Sequence, residues 1–333
     1  MHRLLSHLAH VELLTPDLEA STEFAVETLG LDLVAEENGS AYLRCWGDFY
    51  RYGIVLTQDD HPGLGHKAWR SDGPEQLDEA VASVEASGTR GEWIEDSYGH
   101  GPAYRFEGPG GHPTEVFWEV DRAQPPGGEE SPWPDRPQRA GTRGVGARLV
   151  DHITLTTPDV TESSRWYRDA LGFRTMAAIQ FADGAPWMFT VNTVNEKSHD
   201  LGLVQDFDGH RGGLHHLAFW VATNEDLIRG ANYLVEHGLP IDFGPGQHGI
   251  GEQYYLYFRD PVGLRYELNS GGYRNYVPDW QTAIWRPADG PNNAYRTEIG
   301  MPPVHTVNIP PGVPLGQEAE IAAGVVPPPV PQG

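Results

Sequence analysis

Two histidines and a glutamate, on three short alternating segments, carry the chemistry this sequence most plainly offers. In Val150–Thr156, Ile153 and Leu155 share one face and His152 and Thr154 the other, because successive strand side chains alternate. In HHLAFWV, Leu217, Phe219 and Val221 form the apolar face together with His215, which leaves His216 beside Ala218 and Trp220 as the better ligand. In GLRYELNS, Leu264, Tyr266 and Leu268 alternate with Arg265, Glu267 and Asn269. If the apolar faces meet helices, then His152, His216 and Glu267 face one cavity. Two imidazoles and a carboxylate on one side of a metal leave the other side open, the arrangement used by non-heme Fe(II) oxygen enzymes and equally suited to Mn(II). Taken singly, each histidine is an ordinary hydrogen-bonded strand residue; the agreement of three strands carries the reading.

The elements that position these residues occur twice. HVELLTPDLEASTEFAVETLGLDLV from His10 aligns without a gap with HITLTTPDVTESSRWYRDALGFRTM from His152. LGHKAW around His66 matches LHHLAF around His216, and FEGPGGHPTEVFW matches FRDPVGLRYELNS, which sets Glu115 opposite Glu267. In each half a strand runs into Thr-Pro-Asp, where Asp17 or Asp159 can cap a helix that Gly30 or Gly172 closes. A second helix per half carries Leu77, Val81 and Val84, or Leu227, Ala231 and Leu234, on one stripe and ends at Gly88 or Gly238. Four such modules predict an α+β chain of two tandem domains with curved mixed sheets, helices outside and a concave face as the site. The expected bounds are 1–121 for the first domain, 122–146 for a Pro/Gly-rich linker, 147–275 for a catalytic second domain and 276–333 for an extension. Nine prolines between Met301 and Gly333 read as an extended, surface-lying tail without a catalytic role.

Composition narrows the partners. The 333 residues hold 23 Lys and Arg against 47 Asp and Glu, a formal charge of −24, which argues against nucleic acid. Cys45 is the only cysteine, so an intrachain disulfide and a cysteine-rich zinc site are excluded, and a reducing cytoplasm is the expected location. No apolar run approaches the roughly 18 residues of a membrane span, and the first residues lack a signal-peptide pattern.

The pieces VDHITL, KSHD, LHHLAFWV, GPGQHGIG and YLYFRDPVGLRYEL, in this order, resemble the type I extradiol ring-cleaving dioxygenases of the vicinal oxygen chelate superfamily. The similarity is greatest to the catechol 2,3-dioxygenase group and covers about residues 5 to 275. It implies the glyoxalase-like fold of duplicated βαβββ modules, and Fe(II), or alternatively Mn(II), on His152, His216 and Glu267. It further implies His199 of KSHD as acid and base, and His248 and Tyr257 as hydrogen-bonding pocket residues. The implied reaction is meta cleavage of a catechol by dioxygen to a 2-hydroxymuconic semialdehyde, in a homo-oligomer, dimer or tetramer. Relatives acting on carboxylated catechols place Arg beside the GPG segment, where this chain has Phe243, which points to a neutral or alkylated catechol. Phe243, Trp187 and Trp220 are candidates for an apolar substrate wall.

The amino-terminal half departs from that pattern. It keeps His10, His66 and Glu115 at the ligand-equivalent positions, which leaves a second metal open. Yet Tyr52 stands opposite His199 and Arg105 opposite Tyr257, so this half is expected to be non-catalytic. Two rival readings share the module: a metal-dependent isomerase or lyase of the glyoxalase kind, and a non-enzymatic small-molecule binder. The His199, His248 and Tyr257 set argues against the first, and the complete carboxy-terminal triad against the second.

Overall fold

Asp17 and Asp159 act as expected: their side chains accept the backbone N–H groups of Ala20 and Glu162 and start the helices that follow. The computed structural model describes residues 3–95, 97–141 and 143–286, and beyond these residues 302, 305, 308 and 309. Its first half runs β1 (Leu5–Thr15), α1 (Leu18–Phe24), β2 (Asp32–Glu37), β3 (Ser40–Arg44), β4 (Ile54–Gln58), β5 (Gly63–Ser71), α2 (Pro74–Ala86), β6 (Gly91–Ile94), β7 (Ala103–Gly108) and β8 (His112–Phe117). The second repeats it as β9 (Leu149–Thr157), α3 (Val160–Leu171), β10 (Arg174–Gln180), β11 (Trp187–Thr193), β12 (Leu201–Gln205), β13 (Leu214–Trp220), α4 (Asn224–Glu236), β14 (Ile241–Gln247), β15 (Gln253–Arg259) and β16 (Arg265–Gly271). A short β17 (Ala283–Trp285) then adds to the edge at β10. Gly172 ends α3 at φ 72°, and Gly30 at φ 79° ends a π-helical turn that prolongs α1.

Each half is one mixed sheet, ordered β2-β3-β4-β1-β5-β8-β7-β6 and β14-β15-β16-β13-β9-β12-β11-β10-β17. Every module is βαβββ, its first strand parallel to its last, as in β1 with β4 and β9 with β12. The two modules of a half join antiparallel through their first strands, β1 with β5 and β9 with β13. Strand alternation sends Ile153, Leu155, Leu217, Phe219, Val221, Leu264, Tyr266 and Leu268 into one apolar cluster that spans both halves. Trp69 and Phe173, with ring centroids 4.9 Å apart, pack across that seam. No helix among the described residues is long and apolar enough to cross a membrane.

One expectation is corrected, that for the proline-rich end. The linker region carries no helix or ladder strand among its described residues, but it is not free of the core: Val145 is buried, and its N–H bonds Thr28 O at 2.7 Å. The proline-rich end is not wholly surface-lying. Ile309 exchanges two backbone hydrogen bonds with Leu214, of 3.0 and 2.8 Å, and both Ile309 and His305 are buried. Backbone pairing to the open end of β13 supplies what apolar periodicity does not announce. The rest of that end lies outside the described residues.

Candidate metal centre

Ala218 organises the carboxy-terminal cluster. It pairs with His152 of β9 on one side and with Glu267 of β16 on the other, while His216 precedes it by two residues and so shares its face. His152 Nε2 lies 3.2 Å from His216 Nε2 and 3.2 Å from Glu267 Oε2, and His216 Nε2 lies 3.0 Å from the same oxygen. All three side chains are buried.

The backbone makes room for the supports of these groups. Alternation would aim Asp151 and His215 away from their neighbours, but β9 and β13 shift register at both positions, between Ala218 and Phe219 and between Leu214 and His216. Asp151 Oδ2 therefore accepts from His152 Nδ1 at 2.8 Å and from Asn269 Nδ2 at 3.1 Å, while Lys197 Nζ holds Asp151 Oδ1 at 3.2 Å. His215 is likewise re-aimed, which corrects its placement on the apolar face: its Nδ1 lies 2.5 Å from His216 Nδ1, and its Nε2 lies 3.1 Å from the His305 carbonyl oxygen. That carbonyl can only accept, so His215 carries its proton on Nε2 and receives one from His216 Nδ1. With Nδ1 engaged on each ring, His152 and His216 both turn Nε2 towards Glu267.

Such a convergence is costly without a cation. Glu267 Oε2 is buried and has no hydrogen bond with suitable geometry, although two ring nitrogens stand beside it. Burial drives the His152 imidazole towards its neutral form, but the Asp151 hydrogen bond and the Glu267 charge outweigh it and hold the pKa up at about 9. His216 is pushed down to about 4 by burial, against the pull of Glu267. Burial also opposes the Glu267 charge, yet the surrounding histidines hold its carboxyl well below the usual carboxylate range. A divalent cation would replace the shared proton and satisfy all three groups at once, so the donor set fits a facial metal site.

The other site candidates separate into two groups. His199 lies tilted against His152 with centroids 4.1 Å apart, and its Nδ1 lies 3.1 Å from Ser198 Oγ. Burial holds its pKa well below the ordinary histidine value, which leaves a neutral imidazole. His248 Nε2 lies 3.0 Å from the Tyr257 hydroxyl and 3.8 Å from Glu267 Oε1. Phe243 packs with Tyr255 and Tyr257 in a small aromatic cluster beside them. Trp187 is not brought to this group: it packs on the main core at the start of β11, where its backbone N–H bonds Thr161 Oγ1 of α3 at 2.8 Å. Trp220 is occupied by the Arg148 guanidinium, 5.0 Å over its ring.

Sequence reasoning missed three contributors. Asp151 and Lys197 adjoin the histidines of VDHITL and KSHD, and their charge beside a ligand was a readable signal. His305 had none, because it has no counterpart in the repeat; its ring lies 4.3 Å from Tyr257 and 5.2 Å from Phe243.

Both halves of the chain resemble known proteins. Residues 7–116 and 149–268 each match the family described as the glyoxalase/bleomycin resistance protein/dioxygenase superfamily. The chain is 35% identical over 290 residues to a metapyrocatechase of Geobacillus stearothermophilus, covering 87% of this chain and 88% of that one. It is 34% identical to a manganese-dependent 2,3-dihydroxybiphenyl 1,2-dioxygenase of Geobacillus genomosp. 3, covering 85% and 90%. Among solved structures, homoprotocatechuate 2,3-dioxygenase from Brevibacterium fuscum in its anaerobic complex with 3,4-dihydroxyphenylacetate superposes with TM-score 0.78 at 29% identity, covering 90% of each chain.

Proposed function

Because the chain belongs to the glyoxalase/bleomycin resistance protein/dioxygenase superfamily, and its relatives there are extradiol dioxygenases, we propose that it opens a catechol ring with dioxygen. The bond cleaved lies between a hydroxylated carbon and its unsubstituted neighbour, and the product is of the 2-hydroxymuconic semialdehyde type. The observation that supports this most is the buried His152, His216 and Glu267 cluster with an orphaned carboxylate oxygen and three further proton-handling groups beside it. Those residues would hold Fe(II), with Mn(II) as the alternative that the donor set and one relative both allow. When bound, the metal supplies a common seat for the catechol oxygens and dioxygen, and a path for electrons between them.

The chain's own residues then handle protons and shape. His199, neutral at rest through burial, takes the proton of a catechol hydroxyl and returns it when the O–O bond breaks. The Tyr257 hydroxyl and His248 Nε2, 3.0 Å apart, hold the negative charge that develops on the substrate oxygens. Phe243, with Tyr255 and the His305 ring, forms an aromatic wall, which favours neutral or alkyl catechols over carboxylated ones. Assembly as a symmetric homo-oligomer in a reducing cytoplasm is part of the same reading.

The assignment is tested by product analysis of Fe(II)-loaded protein with 4-methylcatechol and, separately, with protocatechuate. A ring-opened semialdehyde from the first, formed faster than from the second, is expected. A dicarboxylic muconate, or turnover without oxygen incorporation, would defeat it.

A further inference from the structure

The amino-terminal sheet repeats the metal centre down to its register. Ala68 pairs with His10 of β1 and with Glu115 of β8, and His66 precedes it by two residues. His10 Nε2 lies 3.0 Å from His66 Nε2, and Glu115 Oε2 lies 3.2 Å from His66 Nε2 and 3.8 Å from His10 Nε2. Glu115 Oε2 is buried and makes no hydrogen bond, the same orphaned oxygen as in Glu267. Drift after duplication would be expected to fill such a gap with an apolar side chain or a hydrogen bond.

The supporting groups have been rebuilt rather than lost. Glu12 Oε2 accepts from His66 Nδ1 at 2.7 Å, which turns the Nε2 lone pair towards Glu115. This is possible because Gly65 stands at the register shift, where β13 has His215: a Cβ there would sit 2.3 Å from Glu12 Oε2. Arg105 Nε donates to Glu115 Oε1 at 2.6 Å and leaves Oε2 to the cluster. A fourth donor is added. His100 stacks on His10, and its Nδ1 donates to the Gly101 carbonyl at 2.7 Å, which leaves Nε2 unprotonated. His10, His100 and Glu115 each present a ligand atom within 4.8 Å of the others. The adjoining cavity, lined by His10, Tyr52, His100 and Phe117 among others, holds only about 10 Å³. That is far below the roughly 300 Å³ of a small-molecule pocket.

We propose that His10, His66, His100 and Glu115 bind a second divalent metal ion in a closed, structural site. Three imidazoles and one carboxylate supply the four nitrogen and oxygen donors of a tetrahedral zinc ion, and four protein ligands leave no position for substrate. The site ties β1, β5 and β8 to the 97–101 turn and turns over nothing.

The test counts metal on the full chain after chelation and reconstitution with Zn(II), by plasma mass spectrometry. Two equivalents are expected for the natural chain, one each for Glu115→Gln and Glu267→Gln, and none for the double variant. Co(II) loaded into Glu267→Gln should show the intense visible bands of a four-coordinate ion, lost on adding Glu115→Gln or His100→Asn. Should Glu115→Gln fail to fold, Gly65→Ala serves in its place, since it displaces Glu12 without touching a ligand and should weaken zinc retention. Metal content unchanged by these amino-terminal substitutions, or a single equivalent that Glu267→Gln abolishes, overturns the proposal. Neither readout passes through catechol, so the outcome is independent of the dioxygenase reading.

Discussion

His305 lays its ring 4.3 Å from that of Tyr257, although 90 residues separate it from His215, whose Nε2 its carbonyl receives. The proline-rich end thereby contributes both to the aromatic wall and to the tautomer chain that orients His216. Removing the His305 ring leaves that carbonyl in place and opens the wall. His305→Ala is expected to raise KM for catechol roughly fivefold, about 1 kcal/mol of lost ring contact, with a smaller change in kcat. Steady-state kinetics with an unchanged KM would show that the ring does not touch substrate.

Asp151 orients His152, and Lys197, raised to about 12 by Asp151 and Asp200 against burial, keeps Asp151 charged. Asp151→Asn should therefore weaken metal binding roughly 10- to 100-fold, as measured by competition with a chelator. An unaltered affinity would mean that the hydrogen bond is incidental.

The two adjacent histidines on β13 make a sharper contrast. His216→Ala should lose the metal and all activity. His215→Ala should keep metal but bind it more weakly, because it removes only the acceptor of the His216 Nδ1 proton. Metal analysis giving the reverse order would refute the ligand assignment.

His199 lies against His152 ring to ring but is not among the clustered donors His152, His216 and Glu267, so its loss should spare the metal. His199→Phe is expected to retain iron and lose roughly 100- to 10,000-fold in kcat, the range for a general acid–base. Full metal with undiminished turnover would remove it from the mechanism.

Asp260, which accepts from Ser21 Oγ at 3.1 Å across the two halves, has its pKa pushed up to about 7 by burial. A carboxyl raised above its unfolded value of 3.8 favours the folded chain only while protonated, so its contribution falls as pH rises from about 4 to about 7. Asp260→Asn keeps the shape without the charge. It should melt higher than the natural chain at pH 8, by on the order of a few kcal/mol, with the gap closing towards pH 5. A gap independent of pH would assign the effect to packing.

How much of this was legible follows from which interactions are periodic. Duplication and strand alternation are local rules, and they located His152, His216 and Glu267 on one face, Asp17 and Asp159 at helix starts, and Gly172 at a helix end. Register shifts are not periodic, so alternation sets His215 with Leu217 and Phe219, whereas the bulge turns it to His216. The type of Trp187 suits a substrate wall, whereas its surroundings at the start of α3 decide that it packs in the core. His305 and Ile309 depend on one long-range backbone pairing that no composition or spacing encodes.

The most direct test of the central claim is oxygen uptake by anaerobically purified, Fe(II)-loaded protein on adding catechol, with the yellow ring-opened product followed in the same cell. One oxygen consumed per semialdehyde formed, both stopped by a chelator and both absent in Glu267→Gln, is the predicted result. Bound metal at His152, His216 and Glu267 without oxygen uptake, for catechol and its alkyl relatives alike, would contradict it.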